Sequence, residues 1–528
     1  METIDNLFRR LEQLNDIGAS LSNERNLKLL LEKILLAAKT ITHADGGTLY
    51  LLSEDKRHLH FEIVRTDSLN VAFGGSSAQP TSGKFPDLPL YKEDGSPNTS
   101  LVAAHAAMSG HTVNIPDAYM AEGFDFSGTR KFDERTGYRS QSFLTVPMKN
   151  HEGEVIGVLQ LINALSPTQD VVEFSMADQR LAESLASQAA IALTNRQLIE
   201  QLEALFESFI QLINLAIDEK SPYTGGHCQR VPELTMMLAD AVDATTEGPL
   251  ADFKLTDKDR YELRIAALMH DCGKVTTPVH VVDKATKLQT LYDRITLVDT
   301  RFEVLKRDAE IRMLRAAVDG QNRAELESSF QTFCRQCDDD REFLRRANIG
   351  GERMRDEDIE RIKRIASEYR WCNTDGEDVS FLNANELENL CIRAGTLTQA
   401  ERETINHHIV ATIKMLEQLP WPKHLKNVTE YAGGHHERMD GKGYPKGLKR
   451  EEMSWQARMM GIADIFEALT AKDRPYKEGM KLSQALGILE NFKKNGHIDP
   501  DLHAVFVRSK VYGKYAANFL AETQIDCE

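Results

Sequence analysis

The sequence predicts a multidomain protein, in which an α+β region with an antiparallel sheet is followed by a long helix and an all-α region. Strand-like runs occur only in the first part of the chain, whereas apolar residues at helical spacing dominate beyond Ser221. At 528 residues the chain exceeds what one hydrophobic core usually serves, and 41% hydrophobic with 27% charged residues is ordinary globular composition.

The first region begins with helical patterns at residues 4–14 and 27–41, the second of which ends before two glycines. Four strand-like runs follow, TLYLL, LHFEIV, SFLTVPM and VIGVLQLIN. The short polar segment KNHEGE between the last two indicates a β-hairpin, and we therefore expect an antiparallel sheet.

Residues 178–219 contain neither proline nor glycine and favour one continuous connecting helix. We predict that this helix pairs with a second copy of the chain in a homodimer, and the alternative is a helix that packs on its own domain. The prediction rests on apolar residues at the 3,4 spacing of a coiled coil, namely Leu198, Leu202, Leu205, Phe209, Leu212 and Ala216.

The all-α region contains a further helical pattern. Apolar residues from Leu288 to Ala309 keep a 3,4 step, and after a polar break near Gly350 the step resumes from Ile359 to Tyr369. We predict a helical insertion at about residues 284–396, in the form of a protruding helical hairpin.

Charge and cysteine content exclude some functions. Lys and Arg number 64 against 81 Asp and Glu, and the net charge of -17 opposes nonspecific binding to DNA or RNA. An anionic ligand needs a local basic pocket. Seven scattered cysteines fit a reduced compartment, and we find neither a signal peptide nor a membrane segment, so a cytoplasmic location is expected.

Histidines and aspartates recur in five short segments of the second region: YTGGHCQRV, ALMHDCGKV, ETINHHIVATI, GGHHERMDG and GIADIFEALT. Histidine offers neutral nitrogen ligands, and aspartate offers oxygens that can bridge two cations. Neighbours on a helix point about 100° apart, so adjacent ligands such as His435 and His436 suit two ions better than one. A single buried histidine is more often an ordinary core residue.

Three longer motifs, HDCGK at 270–274, HHERMDGKGYP at 435–445 and ADIFEALTAKDRPY at 463–476, resemble the HD-GYP subclass of the HD superfamily of metal-dependent phosphohydrolases. The resemblance implies an all-helical domain at 220–525 that hydrolyses cyclic di-GMP to the linear dinucleotide pGpG and, in some members, to GMP. The alternatives are a phosphodiesterase for cyclic GMP-AMP and a catalytically silent sensor of cyclic dinucleotides that acts through protein partners.

The resemblance also implies two divalent metal ions, of which iron or manganese suits a histidine-rich site without paired cysteines. Asp271 is the expected bridging and catalytic residue. His408 is preferred to His407 because the family pattern places a ligand four residues before a small residue, here Thr412. The implied ligands are His227, His270, Asp271, His408, His435, His436 and Asp464.

Substrate binding is assigned by the same resemblance. Lys274 would bind a substrate phosphate and assist catalysis, and the glycines of the GYP loop allow close backbone approach beside an aromatic ring. Lys446 is a secondary cationic candidate, with a solvated surface role as its alternative. The remaining implied residues are Lys442, Gly443, Tyr444, Pro445 and Arg474.

The sequence departs from the family pattern in two places. Tyr223 stands where members with three metals have a glutamate, and tyrosine is a poor ligand at neutral pH, so two metals are expected. Asp271 and His408 are separated by more chain than in compact members because the predicted insertion intervenes.

The first region, residues 1–177, resembles a GAF domain through NIPDAY, TGYRSQSFLTVPM and GEVIGVLQLINA. The resemblance implies a sensory module that binds an unknown small ligand and regulates the hydrolase. Asn163, Phe174 and Asp178 match a motif of cyclic-nucleotide-binding GAF domains, but Ala164 and Gln179 replace its lysine and glutamate. Nucleotide binding and a structural or differently liganded module both remain open.

Two further features concern cysteine. CRQC at 334–337 has the spacing of metal and redox sites, but no second ligand pair accompanies it, so a structural role is favoured. Cys228 and Cys272 each follow a proposed ligand, which suggests either oxidation sensitivity or ordinary buried thiols.

Overall fold

A computed structural model describes residues 12, 14–21, 24, 26–76, 79–81, 83–220, 226–351, 353–471 and 479–527. The chain forms two compact units, Met1–Phe206 and Glu207–Glu528. The predicted helix at 4–14 lies mostly outside the described residues. In the part of the chain that is described, every helix is too short or too polar to cross a membrane.

The first unit is built on an antiparallel sheet, as predicted. Its strands follow the order β3-β2-β1-β7-β6-β5, with β4 paired to β2 and β8 paired to β7. The four predicted runs form the long strands, and the structure adds four short ones. The strands are β1 (Ala44–Leu52), β2 (His58–Thr66), β3 (Val71–Phe73), β4 (Leu88–Pro89), β5 (Val113–Ile115), β6 (Phe143–Lys149), β7 (Val155–Leu165) and β8 (Val171–Val172).

Helices cover both faces of this sheet. Helix α1 (Leu27–Thr42) shares one core cluster with the inward side chains of β1, β6 and β7, and each fully buried leucine there contributes roughly 2 kcal/mol. Gly47 of β1 allows α1 to approach, because a Cβ atom at this position would lie 2.8 Å from Leu35 Cδ1. Helix α2 (Val102–Ser109) covers the opposite face, and α3 (Ser127–Thr136) precedes β6.

The nucleotide-motif residues of this unit have structural partners. Asn163, at a φ of 58°, accepts a hydrogen bond from Gln141 N at 2.7 Å and donates to Arg139 O at 2.8 Å. Phe174 is buried in the core, and the Asp178 carboxylate accepts from the Ser175 hydroxyl at 2.6 Å. These contacts favour the structural alternative for the motif.

Helix α4 (Met176–Lys220) is the predicted connecting helix, continuous over 45 residues. Its first turns pack in the core of the first unit through small and aliphatic side chains. Further along, the predicted coiled-coil residues are exposed: Leu198 45%, Leu202 64%, Leu205 52%, Phe209 55% and Leu212 59%. Such an apolar stripe on one helix is expected where a second helix packs against it.

The second unit is helical, as predicted, apart from one two-stranded ribbon, β9 (Arg370–Cys372) with β10 (Asp378–Ser380), around Gly376. Among the described residues of this unit, 3₁₀ turns lie between helices at Cys272–Thr276, Lys423–Leu425 and Arg450–Glu452, and another, Glu522–Gln524, follows the last helix. The helices are α5 (His227–Asp243), α6 (Asp257–Met269), α7 (Val279–Val282), α8 (Ile295–Val318), α9 (Arg323–Asn348), α10 (Asp356–Glu368), α11 (Ala384–Leu390), α12 (Gln399–Leu416), α13 (Val428–Gly433), α14 (Trp455–Thr470), α15 (Leu482–Lys494), α16 (Pro500–Arg508) and α17 (Val511–Phe519).

The segment predicted as an insertion has its own core, formed by α8 to α11. The predicted hairpin is corrected in two respects. Its turn lies at Gly320, between α8 and α9, and not near Gly350. The first helix starts at Ile295, so Leu288 is buried ahead of it and Leu291 is 92% exposed. The 3,4 step in the sequence thus begins before the first residue of the helix.

Two buried lysines hold the base of this segment. Lys284 Nζ lies 2.7 Å from Asn389 Oδ1 and 2.7 Å from a carboxylate oxygen of Glu401, in the first turn of α12. Lys287 Nζ donates to Leu390 O at 3.2 Å and Ile392 O at 2.7 Å. Lys284 therefore has a carboxylate partner, whereas Lys287 is held by carbonyl groups.

We predict that Lys287 makes stability depend on pH. Burial lowers the pKa of its ammonium from 10.5 to about 8 in the folded protein. Between these values the unfolded chain binds more protons, so the free energy of unfolding should rise as pH increases from about 8 to about 10.5. Urea unfolding of the full chain at about pH 7 and about pH 10 should show this rise, and Lys287→Met should remove its share.

Lys363→Met is the matched control, since Lys363 lies in α10 of the same segment with its side chain 55% exposed. It should keep the rise in the unfolding free energy between about pH 7 and about pH 10, because Glu360 raises the pKa of Lys363 rather than lowering it. If the unfolding free energies of the wild type and Lys287→Met depended on pH in the same way, Lys287 would not be the cause of the rise.

Candidate metal centre

The predicted ligands come from five segments that meet inside the second unit. His227 opens α5, and His270 and Asp271 follow α6 at the start of a 3₁₀ turn. His408 lies in the middle of α12. The other ligand positions are His435 and His436 after α13, and Asp464 in α14.

His227, His270 and Asp271 form the first ligand group, with potential ligand atoms within 4.8 Å of one another. Asp271 Oδ2 lies 3.1 Å from His227 Nε2 and 3.2 Å from His270 Nε2. Asp464 Oδ1 joins them at 3.3 Å from His227 Nε2. These separations are suitable for donor atoms that surround one cation.

His408, His435 and His436 form the second ligand group. The Nε2 atoms of His408 and His436 are 3.2 Å apart, and Asp271 Oδ1 lies 3.3 Å from His408 Nε2. The two oxygens of Asp271 therefore face different groups, which is the geometry of a bridging carboxylate.

Backbone carbonyl groups orient three of the histidines in the same way. His270 Nδ1 donates to Ala267 O at 2.7 Å, and His408 Nδ1 donates to Ile405 O at 2.6 Å. His435 Nδ1 likewise bonds the carbonyl three residues earlier at 2.6 Å. This bond fixes the tautomer, so each Nε2 presents a lone pair to the centre.

Several of the buried donor atoms make no hydrogen bond in the described part of the chain, although carboxylate oxygens lie 3.1–3.3 Å from Nε2 of His227 and His270. Nε2 of His227, His270 and His435 and Oδ1 of Asp271 are buried and make no hydrogen bond among the described residues. Leaving such groups unsatisfied costs about 1–3 kcal/mol each. Buried, unsatisfied and convergent donor atoms fit a bound metal, because the cation would satisfy all of them together.

The electrostatic environment keeps His435, His436 and Asp271 in metal-binding forms, whereas it favours a protonated His227, whose proton a bound cation would displace. Burial lowers the pKa of His436 to about 4 and holds that of His435 well below its usual range, so both imidazoles are neutral near pH 7. Burial alone would raise the pKa of Asp271, but Lys274 and the adjacent histidines hold it well below the ordinary value. Burial opposes a charge on His227, yet the carboxylates Asp271, Asp464 and Glu467 raise its pKa well above normal.

Lys274 stands beside the proposed bridge, with Nζ 2.5 Å from Asp271 Oδ2. Burial disfavours its charge, but Asp271 and Asp464 together raise its pKa above the usual value. The preceding Gly273 lets α12 pack closely, since a Cβ there would lie 2.0 Å from His408 O. Gly273 N also donates to the Thr412 hydroxyl at 2.9 Å.

The GYP loop lies against the second ligand group. The Tyr444 ring stacks on His436 with centroids 4.8 Å apart. Gly443 is required there, because a Cβ would lie 2.5 Å from Glu437 Cα. The loop is held by Glu437, whose carboxylate accepts from Lys446 N at 2.7 Å and Leu448 N at 2.8 Å.

A pocket of about 410 Å³ opens beside this loop. Lys442 reaches it with a side chain that is 79% exposed, and Pro445 is half-buried in the loop. Arg474 and Tyr223 lie outside the described residues. The lining residues are His436, Arg438, Lys442, Tyr444, Asp464, Ile465, Ala468, Leu469 and His497.

The cysteines beside the ligands are buried thiols. Cys228 and Cys272 are 1% and 0% exposed, and burial raises the pKa of Cys272 to about 11. This favours ordinary core thiols over oxidation-sensitive ones. In CRQC, Cys337 is fully buried in the core of its own segment, and neither ligand group found among the described residues includes it.

Sequence reasoning missed three supporting residues. Glu467 is fully buried and contacts His227, Glu437 holds the GYP loop, and the Thr412 hydroxyl holds Gly273. The signal for Glu467 was its position three residues after Asp464, on the same face of α14.

Comparison with known proteins agrees with the division of the chain into a first unit with an antiparallel sheet and a second, helical unit. A GAF domain model matches residues 26–193, and two HD domain models match residues 224–327 and 383–502. The chain thus carries a GAF domain followed by a helical region that matches HD domain models.

Individual relatives match a shorter segment. Two 3'3'-cGAMP-specific phosphodiesterases of Vibrio cholerae are 37% identical over 119 residues and 34% identical over 122 residues, which cover 22% and 23% of this chain and 24% and 27% of theirs. A cyclic di-GMP phosphodiesterase of Pseudomonas aeruginosa is 36% identical over 117 residues, covering 22% of this chain and 27% of its own. The chain therefore spans about a quarter of the length of these relatives.

We predict that Asp271→Ala empties both metal positions. The change deletes both the oxygen that lies within the first ligand group and the oxygen that faces the second. Elemental analysis of manganese-loaded protein should give about two ions per chain for the wild type and none for the variant.

His407→Ala is the matched control, because His407 is exposed on α12 beside the buried His408. It should keep both ions. Retention of metal by Asp271→Ala would mean that the centre is misplaced, and three occupied positions in anomalous diffraction would contradict a two-metal site.

Proposed function

We propose that this protein is a metal-dependent phosphodiesterase that hydrolyses cyclic di-GMP to pGpG, with GMP as a further product. The observation that carries the proposal is Asp271, whose two oxygens face two separate groups of buried nitrogen donors. Seven donor residues converge there, which is more than one cation needs.

Two divalent cations, iron or manganese, would be held by the first ligand group with Asp464 and by the second ligand group, with Asp271 between them. When bound, they would offset the negative charge of the phosphodiester and would lower the pKa of a water, which could then lose a proton and attack phosphorus. pGpG retains a 5′ phosphate, so the bond that breaks joins phosphorus to a 3′ oxygen, and one water is consumed.

The protein's own residues would bind and orient the substrate. Lys274 keeps a charged ammonium beside Asp271 and can bind a nonbridging phosphate oxygen. The adjacent pocket is lined by Tyr444 and Arg438, which offer an aromatic ring and a planar guanidinium for a guanine base, and Asp440 holds this guanidinium at 2.8 Å. The net charge of -17 makes these local cations important for an anionic substrate.

Cyclic GMP-AMP is the second candidate substrate. The relatives named for 3'3'-cGAMP and for cyclic di-GMP are 37% identical over 119 residues and 36% identical over 117 residues, so similarity does not separate the two substrates. A silent sensor is disfavoured because every expected ligand position is filled and brought together.

We expect manganese- or iron-loaded protein to convert cyclic di-GMP to pGpG, and to convert 3'3'-cGAMP more slowly. Chromatography of the products from each substrate, and from cyclic di-AMP as a third, measures the ratio of kcat/KM values. Asp271→Ala is the inactive control. Tight binding of the cyclic dinucleotides without turnover would support the silent sensor, and faster turnover of 3'3'-cGAMP would reverse the substrate assignment.

We also propose that the GAF domain regulates hydrolysis through α4 in a homodimer. The exposed apolar stripe on α4 would pair with the same stripe of a second copy. At the end of α4, Lys220 Nζ donates to Lys274 O at 3.3 Å and to Val275 O, in the turn that follows Asp271. A small rotation of α4 would therefore act directly on residues beside the metal centre.

Insertions after Gln201 test this coupling. Four added residues rotate the downstream part of the helix by about 40°, whereas seven nearly restore its phase. We expect the four-residue insertion to alter the basal rate of hydrolysis and the seven-residue insertion to spare it. The sedimentation velocity of each variant reports whether the dimer is kept, and equal rates in dimers of both would leave α4 as a passive tether.

A further inference from the structure

His227 differs from the other buried histidines of the candidate metal centre in what holds its Nδ1 atom. His270, His408 and His435 use the backbone carbonyl three residues earlier. His227 is the first residue of α5 and instead has a carboxylate partner, with Nδ1 2.5 Å from Glu467 Oε2. A side chain from another helix thus replaces the local backbone contact.

Glu467 is itself held in place. It is fully buried in α14, and its Oε1 accepts from Arg230 Nε at 2.8 Å. Arg230 lies one turn after His227 on α5, so one carboxylate bonds to two side chains on the same face of that helix. A buried carboxylate is costly unless it is paired, and Arg230 balances its charge.

The same helix pair carries a ligand. Asp464, one turn before Glu467 on α14, faces the opposite nitrogen of His227, with Oδ1 3.3 Å from Nε2. The His227 ring is therefore bracketed by two carboxylates of α14. A carboxylate that accepts from Nδ1–H fixes the tautomer and strengthens Nε2 as an electron donor.

We propose that Glu467 is a positioning residue that serves one metal position of the two, the position formed by the first ligand group. The proposal rests on the metal-dependent function proposed above. Its selectivity follows from the contacts, since His408 and His435 of the second ligand group are oriented by their own backbone. Loss of Glu467 should leave those two rings in place.

The test measures metal binding rather than turnover. Full-length Glu467→Ala and Glu467→Gln are loaded with manganese, and ions per chain and affinity are determined by elemental analysis and chelator competition. We expect Glu467→Ala to hold one ion where the wild type holds two. Glu467→Gln keeps an acceptor for Nδ1–H but not the charge, and should weaken one of the two ions by about 10–100-fold.

Glu386→Ala is the matched control for the loss of a buried ion pair. Glu386 is 1% exposed and bonds to Arg301 at 2.7 and 3.0 Å in the separate core of α8 to α11. This variant should keep two ions at wild-type affinity.

Three results would overturn the inference. Wild-type stoichiometry and affinity in both Glu467 variants would show that Glu467 does not position the site. Equal loss of both ions in Glu467→Gln would show that its effect is not selective. Unchanged metal content in Asp271→Ala would remove the metal centre itself, and so distinguishes failure of the proposed function from failure of this inference.

Discussion

The arrangement of the helical unit depends on a single carboxylate with two faces. Asp271 points one oxygen at His227 and His270 and the other at His408, and each of these side chains arrives from a different part of the chain. Two groups of buried donor atoms cannot converge without cost, because several of these atoms make no hydrogen bond to any residue that the structure describes. The two cations proposed above would offset this cost by binding these atoms together.

The surrounding contacts follow from this constraint. Backbone carbonyls orient the histidines that lie within or directly after helices, whereas His227, at a helix start, depends on Glu467. Gly273 removes the one side chain that would push α12 away, and Gly443 does the same for the GYP loop. Substitution of Gly273, Gly443 or Glu467 would therefore disturb the positions of the candidate ligands, although none of these three residues is a ligand itself.

The sequence predicted the sheet and the connecting helix because periodicity is a local signal, whereas the set of candidate ligands came from the resemblance of their motifs to a known family. The position of Thr412 favoured His408 over His407 as the ligand. In the structure the Thr412 hydroxyl accepts a hydrogen bond from Gly273 N. The role of Glu467 was harder to predict, because its motif does not say what it contacts and its partner Arg230 is 237 residues away. The helix predicted from Leu288 was too long. Leu288 is buried ahead of the helix that starts at Ile295, so its apolar side chain continues the helical spacing although the backbone there is not helical.

The contact between Lys284, Asn389 and Glu401 has a consequence for how this domain tolerates its long internal segment. The three residues come from the two ends of that segment, and their hydrogen bonds of 2.7–2.8 Å bring those ends together beside α12. Loop-closure entropy grows only with the logarithm of length, so once Lys284 contacts Asn389 and Glu401, additional residues between them add little to the entropic cost of folding. The segment can therefore change in length during evolution while the distance between His408 and Asp271 is kept.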